Sequence, residues 1–183
     1  MLQDRKGFMW FGTLGGLNRY DGYQFKVFRF DPDNPYSLSG NNIFALYEDH
    51  KGRIWIGTNG QGLNVYDPQT DRVYRVSGNE ISAEHLNALE IKSITQDHYG
   101  NIWIGGHSDN TPFGLFRLKF EWPSTTNPPA TLMGSISEIQ LEPDSLVLHN
   151  NIYTVYHFKD KLWVGTDWGL YTIDPEKISR SIV

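Results

Sequence analysis

The ten residues Asp49-His50-Lys51-Gly52-Arg53-Ile54-Trp55-Ile56-Gly57-Thr58 decide the fold, because their pattern recurs along the chain. It occurs earlier as Asp4-Arg5-Lys6-Gly7-Phe8-Met9-Trp10-Phe11-Gly12-Thr13 and later as Asp97-His98-Tyr99-Gly100-Asn101-Ile102-Trp103-Ile104-Gly105-Gly106. A more divergent copy reads Lys159-Asp160-Lys161-Leu162-Trp163-Val164-Gly165-Thr166. The tryptophans are 45, 48 and 60 residues apart, inside or just above the repeat lengths of β-propeller blades. A unit of this size cannot bury its own apolar face, so consecutive copies must pack on one another.

The second copy divides into four short strands separated by turns rich in Gly, Asp and Pro, which is typical of a propeller blade. The segment Ile54-Trp55-Ile56 is apolar at every position, which indicates a strand buried on both faces. We therefore predict equivalent buried positions for Trp10, Trp55, Trp103 and Trp163. The other two tryptophans, Trp122 and Trp168, are predicted to lie in more exposed loops.

The sequence thus predicts an all-β chain that forms a partial β-propeller of four-stranded antiparallel blades, about three complete blades and part of another. The blades span approximately residues 1–30, 43–76, 91–141 and 151–183, all within one fragment of a propeller domain. A closed ring generally needs four to eight blades, so we expect a piece of a larger protein. An open arc would leave two apolar faces uncovered, and we expect the isolated chain to self-associate or to be marginally stable.

Three segments depart from the regular pattern. The third copy carries an insertion from Glu121 to Pro129, whose paired prolines cannot sit inside a sheet, so a protruding loop is predicted. In the fourth copy Ile152 precedes Trp163 by 11 residues, one fewer than in the second and third copies, so its first hairpin is one residue shorter. The stretch from Ser82 to Leu89 is predicted to form one helical turn at most, and helix content should be near zero.

Composition sets further limits. The net charge of −5 and the scattered positions of the 16 Lys and Arg residues give no basic patch, so nucleic acid is not an expected partner of this region. There are no cysteines, which excludes disulfides, thiol catalysis and thiolate metal sites. No stretch approaches the length of a membrane span. Because Gln3-Asp4-Arg5-Lys6 interrupts any apolar run near the start, no signal peptide is expected within this stretch.

The repeat resembles the two-component regulator propeller family. The residues that support this are Trp55-Ile56-Gly57-Thr58 with Gly62-Leu63-Asn64-Val65-Tyr66-Asp67, their counterparts in the first copy, and the linker from Asp31 to Asn42. The resemblance implies the periplasmic sensor region of a hybrid two-component system of Bacteroidetes. It also implies a glycan or oligosaccharide ligand, further propeller blades of the full-length protein as partners, and a homodimer in that context. No cofactor and no metal are expected.

Enzymatic alternatives are weaker. The Asp-box of sialidases also lies on a propeller hairpin. Its Asp-to-Gly spacing, however, is one residue shorter than in the three copies that begin at Asp4, Asp49 and Asp97. We interpret these residues as turn aspartates whose carboxylates accept backbone N–H bonds, and we nominate no catalytic residue. A sialidase-like or lyase-like propeller enzyme and a protein-interaction propeller remain the alternatives to a sensor. Because the histidines lack zinc-site spacing, no metal site is predicted.

If a ligand binds here, propeller geometry limits where it can do so. The linkers between blades and the turns between second and third strands share one face around the axis. Amides, carboxylates and an exposed aromatic ring there suit hydrogen bonding and stacking to a sugar, although turns are polar in most proteins. The candidate ligand-binding residues are Asn59, Gln61, His107, Asp109, Asn110, Asp167 and Trp168.

Overall fold

The computed structural model describes residues 1–78, 80–109, 114–125, 128–139, 141 and 151–180. Within these ranges the chain folds into four β-sheets that follow one another in sequence, here numbered sheet 1 to sheet 4, with two helices between or after them. The predicted all-β class is confirmed. Each sheet contains one copy of the tryptophan motif, which lies in its second strand.

Strands that follow one another within a copy of the repeat pair antiparallel. Sheet 1 contains Leu2–Gln3 (β1), Met9–Thr13 (β2), Gly16–Tyr20 (β3) and Phe25–Phe28 (β4). Sheet 2 contains Ile43–Glu48 (β5), Ile54–Thr58 (β6), Leu63–Asp67 (β7) and Arg72–Ser77 (β8), with Thr131–Met133 (β12) added at its edge. Sheet 3 contains Glu90–Gln96 (β9), Ile102–His107 (β10), Leu115–Lys119 (β11) and Ser135–Ile139 (β13). Sheet 4 contains Ile152–Phe158 (β14), Lys161–Thr166 (β15) and Gly169–Ile173 (β16).

Consecutive sheets pack face to face, and in each case the motif tryptophan faces the next sheet along the chain. Trp10 packs on Tyr66 of sheet 2 with ring centroids 5.0 Å apart. Trp55 shares a buried cluster with Ile94 of sheet 3, and Trp103 lies in a cluster made largely by sheet 4. The first strands β5, β9 and β14 lie side by side, so they line a common axis. This arrangement is an unclosed β-propeller.

The prediction of four equivalent buried tryptophans is wrong for Trp163. This residue is only half-buried, whereas Trp10, Trp55 and Trp103 are fully buried. Its neighbours Leu162 and Val164 point into the cluster shared with sheet 3. Trp163 therefore faces the opposite side of sheet 4, which no other sheet of the described ranges covers.

The two ends of the insertion in the third copy contact sheet 2 and the linker before it, through Trp122 and Pro128, whereas a protruding loop was predicted; residues 126–127 between them lie outside the described residues. Strand β12 pairs parallel with β8, with Thr131 opposite Arg75, and the Arg75 amide donates to the Ala130 carbonyl at 2.9 Å. The half-buried Trp122 packs edge-on against Tyr74 with ring centroids 5.3 Å apart. The insertion is held here because β8 would otherwise be an unpaired edge and because the Trp122 ring gains an apolar contact.

The predicted single helical turn is also wrong, because Glu80–Ala88 forms a helix of nine residues (α1). Leu86 and Leu89 are fully buried in the cluster between sheets 2 and 3, so tertiary packing stabilises this helix beyond its weak intrinsic propensity. A second helix, Pro175–Arg180 (α2), begins with proline at its first position, where the missing N–H carries no cost. In the described part of the chain, neither helix is long and apolar enough to cross a membrane.

The shortened hairpin of the fourth copy is confirmed and has a specific geometry. Lys159 and Asp160 both have positive φ, at 47° and 60°, and they join strands whose last pair is Phe158 with Lys161. Two central residues with positive φ define a type I′ turn, the usual two-residue hairpin connection. Phe158 consequently occupies the position that aspartate holds in the other three copies.

The two ends of the array present apolar faces. On sheet 4 the face that carries Trp163 also exposes Tyr156 and Leu170, at 61% and 65% of their surfaces. On sheet 1 the face turned away from sheet 2 exposes Phe25 and Val27, at 60% and 47%. Apolar clusters of this kind on soluble proteins usually mark contact surfaces.

We expect the isolated 183-residue chain to self-associate through these two faces. Sedimentation velocity over a range of concentrations should show a concentration-dependent distribution, and the double substitution Tyr156→Ser with Leu170→Ser should shift it toward the monomer. The matched control is Tyr23→Ser, which alters an aromatic ring that is 96% exposed in a turn away from both faces. A single monomeric species with a sharp, concentration-independent melting transition would contradict the prediction.

Candidate ligand-binding face

The two ends of the propeller axis have different chemistry. Ile43 pairs with Thr58, and Leu63 pairs with Val76, so the linkers and the turns between second and third strands meet at one end, here called the linker end. The turns that contain Asp4, Asp49 and Asp97 lie at the opposite end, here called the aspartate-turn end. All predicted candidate residues that the structure describes belong to the linker end.

The turns at the linker end are shaped by the threonine that closes the Trp-x-Gly-Thr motif. The Thr58 hydroxyl donates to the Gly62 carbonyl at 2.6 Å, and Thr166 makes the equivalent bond to Gly169 at 3.1 Å. The Thr166 hydroxyl also accepts a hydrogen bond from the Trp168 amide at 3.1 Å. These hydrogen bonds fix the backbone of the turns that carry the candidate side chains.

Glu90, at the start of β9, brings three of the candidate residues together. Asn59 forms an isolated antiparallel bridge with Glu90, and His107 pairs with it across the β9–β10 ladder. The His107 ring lies 3.4 Å from an oxygen of Asp109, whose side chain is almost fully exposed. Asn59, His107 and Asp109 therefore form one polar group around the start of β9.

Gln61 and Asn110 do not join this group in the described part of the chain. The Gln61 side chain lies over Gly40, where it occupies the space that a Cβ atom would need, so it contacts the linker between sheets 1 and 2. Asn110 lies outside the described residues.

Asp167 and Trp168 share the turn between β15 and β16, and the Trp168 ring is 69% exposed. Asp167 accepts a hydrogen bond from the Asn151 amide, and the interaction of its carboxylate with the Tyr153 hydroxyl raises the pKa of Tyr153 above its usual value. A carboxylate, an amide, a phenol and an indole thus stand together at the linker end of sheet 4.

Sequence reasoning missed Tyr153 and the two residues at the equivalent position of the preceding inner strands, Phe44 and Lys92. Each follows the isoleucine that begins the apolar part of its strand, Ile152, Ile43 or Ile91. That shared position was a readable signal, because the residue next to a buried one points to the opposite side of a strand. The described residues contain no group of three or more His, Asp or Glu side chains placed to hold a metal ion.

Hydrogen bonds at the aspartate-turn end explain why an aspartate recurs in the first three copies of the motif. The buried Asp49 carboxylate accepts hydrogen bonds from the amides of Lys51 and Arg53 at 2.8 and 3.0 Å. Its second oxygen accepts from the Trp55 indole at 3.0 Å, and the same indole bond joins Asp4 to Trp10 and Asp97 to Trp103 at 2.8 Å. The interpretation of these aspartates as turn residues is confirmed. Their hydrogen bonds to the tryptophan indoles were not predicted.

A groove of about 560 Å³ also opens at the aspartate-turn end, between sheets 1 and 2. The polar groups around it are largely paired with one another: the Arg5 amide donates to Glu48 at 3.0 Å, and Arg19 donates to the Tyr66 hydroxyl at 2.9 Å. That hydroxyl donates in turn to Asp71 at 2.8 Å. Burial, and then the bond to Asp71, raise the pKa of Tyr66. We assign this groove to the junction between sheets, because its polar groups hold the sheets together.

Comparison with known proteins agrees with the repeat pattern. A family model described as the two component regulator propeller matches residues 37–60 and 85–108. A protein named histidine kinase P4 from Formosa agariphila is 39% identical over 66 residues, which are 34% of this chain and 5% of that protein. The present chain therefore corresponds to a small part of this relative.

Solved structures share the fold. Two crystal structures of one extracellular domain from B. thetaiotaomicron, described as a proposed one component system and as a proposed hybrid two component system, give TM-scores of 0.69 and 0.66. Their sequence identities are 24% and 23%, over 96% of this chain and 23% of theirs. A proposed gluconolactonase gives a TM-score of 0.61 at 10% identity, over 94% of this chain and 58% of its own. The chain thus contains two segments, residues 37–60 and 85–108, that match the model of the two component regulator propeller, and each includes one copy of the repeated tryptophan motif.

Proposed function

We propose that this chain is part of an extracytoplasmic, periplasmic ligand-sensing propeller of a two-component signalling protein, and that its ligand is a glycan or oligosaccharide. The observation that carries the proposal is the group at the linker end of sheet 4, where the exposed Trp168 and Tyr153 rings stand beside the Asp167 carboxylate. The similarity to a histidine kinase and to extracellular domains described as signalling systems supports the sensor role.

The chemistry of this face suits a sugar. Saccharide rings have apolar faces that pack on aromatic side chains, and their hydroxyl groups donate to carboxylates and exchange hydrogen bonds with amides. Trp168 and Tyr153 supply the aromatic surfaces, while Asp167 and Asn151 supply the polar groups.

A non-catalytic role agrees with what the recurrent aspartates do. Glycoside hydrolysis uses a pair of carboxyl groups that flank the scissile bond, one as acid and one as base or nucleophile. Asp49 and Asp97 are fully buried, and their oxygens are engaged by turn amides and by the indoles of Trp55 and Trp103. They are therefore not available to a sugar substrate.

The proposal is tested on the whole extracellular part of the full-length protein with a panel of plant and microbial oligosaccharides. We expect at least one member to bind in isothermal titration calorimetry and to be recovered intact by chromatography after prolonged incubation. The same oligosaccharide should induce transcription from the protein's target promoter in the source bacterium, and deletion of the gene should abolish that response. Binding of none of the panel, or cleavage of the bound member, would contradict the proposal.

A further inference from the structure

The three inner strands β5, β9 and β14 each contain a bulge at the same place. In β5 the residues Ile43 and Ala45 pair with consecutive residues of β6, so Phe44 between them has no partner across the ladder. The same register shift occurs in the other two strands, where the extra residues are Lys92 and Tyr153. Bulges of this kind locally bend a strand and redirect a side chain, and they are frequent beside functional sites.

The redirected side chains lie next to one another around the axis. The Lys92 ammonium is 5.3 Å from the centroid of the Phe44 ring. Strands β9 and β14 are joined beside their bulges, because the Ser93 hydroxyl bonds the Val155 carbonyl and amide at 3.2 and 3.0 Å. Three consecutive sheets therefore present one bulged side chain each to the same rim at the linker end.

The bulged aromatic rings remain available to a ligand. Phe44 keeps 44% of its surface exposed and Tyr153 keeps 57%, although both sit on inner strands whose neighbouring isoleucines are fully buried or nearly so. Burial of such rings against an apolar ligand surface would be favourable, so their exposure at the axis favours a ligand-binding role over a packing role.

The charges at this rim are not balanced. The Lys92 ammonium is paired with Glu90 at 2.6 Å, so its positive charge is offset within the protein. Asp167 accepts a hydrogen bond from a neutral group, the Asn151 amide. Glu90, Lys92 and Asp167 together supply one cation and two carboxylates, so an anionic ligand would meet net repulsion, whereas neutral hydroxyl groups can donate to both carboxylates.

We propose that the bulge rim, defined as Phe44, Glu90, Lys92, Tyr153 and Asp167, is the ligand contact surface of this propeller and selects neutral saccharides over acidic ones. This inference rests on the proposed glycan-sensing function and adds to it the contact residues and the charge class of the ligand. Phe44 and Tyr153 pack on sugar rings, and the two carboxylates accept hydroxyl hydrogen bonds.

The test measures the affinity of the whole extracellular part of the protein by calorimetry. The neutral probes are malto-, cello-, xylo- and manno-tetraose, and the acidic probe is tetragalacturonate. For the neutral probe that binds best, Phe44→Ala and Tyr153→Ala should each weaken binding at least about tenfold, while Tyr153→Phe should weaken it less because the ring remains. The control Tyr23→Ala removes a ring that is 96% exposed in the turn between β3 and β4, away from the linker end, and should leave the affinity unchanged.

The outcomes separate the inference from the function on which it rests. If a neutral tetraose binds and the Phe44 and Tyr153 variants bind it as well as the parent, the bulge rim is not the contact surface, although sensing stands. Tighter binding of tetragalacturonate than of every neutral probe would overturn the charge class. Asp167→Asn should weaken neutral binding and reduce the discrimination against tetragalacturonate, and an unchanged preference would also count against the inference. If no saccharide binds the parent protein, the proposed function fails and the inference fails with it.

Discussion

Replacement of Asp49 by alanine is expected to lower the free energy of unfolding by about 3–5 kcal/mol, the range for removal of one member of a buried charged pair. The carboxylate is fully buried and accepts from Arg53 Nε at 2.7 Å as well as from the Trp55 indole. Loss of the carboxylate leaves the Trp55 indole N–H without its acceptor inside the core. It also leaves the Arg53 guanidinium, whose side chain is only 14% exposed, without its counter-charge.

Urea denaturation of parent and variant at matched protein concentration, followed by tryptophan fluorescence, measures this effect. The control is Asp4→Ala, which removes the corresponding turn-amide and indole bonds in the first copy but no charged pair, because Phe8 stands where Arg53 does. Asp4 is only half-buried, so solvent can replace part of what is lost and the change should be clearly smaller. Equal losses for the two variants would show that neither the burial of Asp49 nor its pairing with Arg53 sets the strength of this interaction.

Truncation of Trp55 to alanine is expected to cost about 3–5 kcal/mol, as large-to-small substitutions of buried aromatic residues do. Trp55 is fully buried between sheets 2 and 3, and its ring packs edge-on against Phe120 with centroids 5.7 Å apart. The surrounding strands are tied in their ladders and cannot collapse fully into the space that the indole leaves.

The thermal midpoint of Trp55→Ala should fall by many degrees, whereas the control Trp168→Ala should change it little because its ring is mostly exposed. Trp163→Ala should give an intermediate loss, since its face of sheet 4 is uncovered among the described residues. A Trp55→Ala variant that melts within a degree or two of the parent would overturn the assignment of this tryptophan to the core.

The strands and their order could be predicted because local and global signals agree in each copy. Apolar residues on both sides of Trp55 require cover on both faces, and the Gly and Asp turns set the strand lengths. The helix α1 could not be predicted in the same way, because its stability comes from Leu86 and Leu89 packing between two sheets. The final position of β12 depends on the free edge of β8, a feature of a different copy, and the sequence near Thr131 does not encode it.

The location of the candidate residues at one end of the axis could be predicted from the sequence, whereas the full set of side chains at that end could not. Turn composition pointed to the linker end, which holds Asn59, His107, Asp109, Asp167 and Trp168. The position of Phe44, Lys92 and Tyr153 after a buried isoleucine could be read from the sequence. The β-bulge at that position could not, because it depends on the register between two strands. Whether any of these residues binds a ligand stays a prediction.

The orientation of the motif tryptophan gives every junction in this array the same polarity. The tryptophan side of one sheet always meets the side of the next sheet that carries the residues flanking its tryptophan, as Trp10 of sheet 1 meets Ile54, Ile56 and Tyr66 of sheet 2. Gain or loss of one whole copy with its linker would leave the two sheets at the new boundary with faces that still match. Unequal recombination between copies can therefore change the number of blades in a descendant gene without the invention of a new interface.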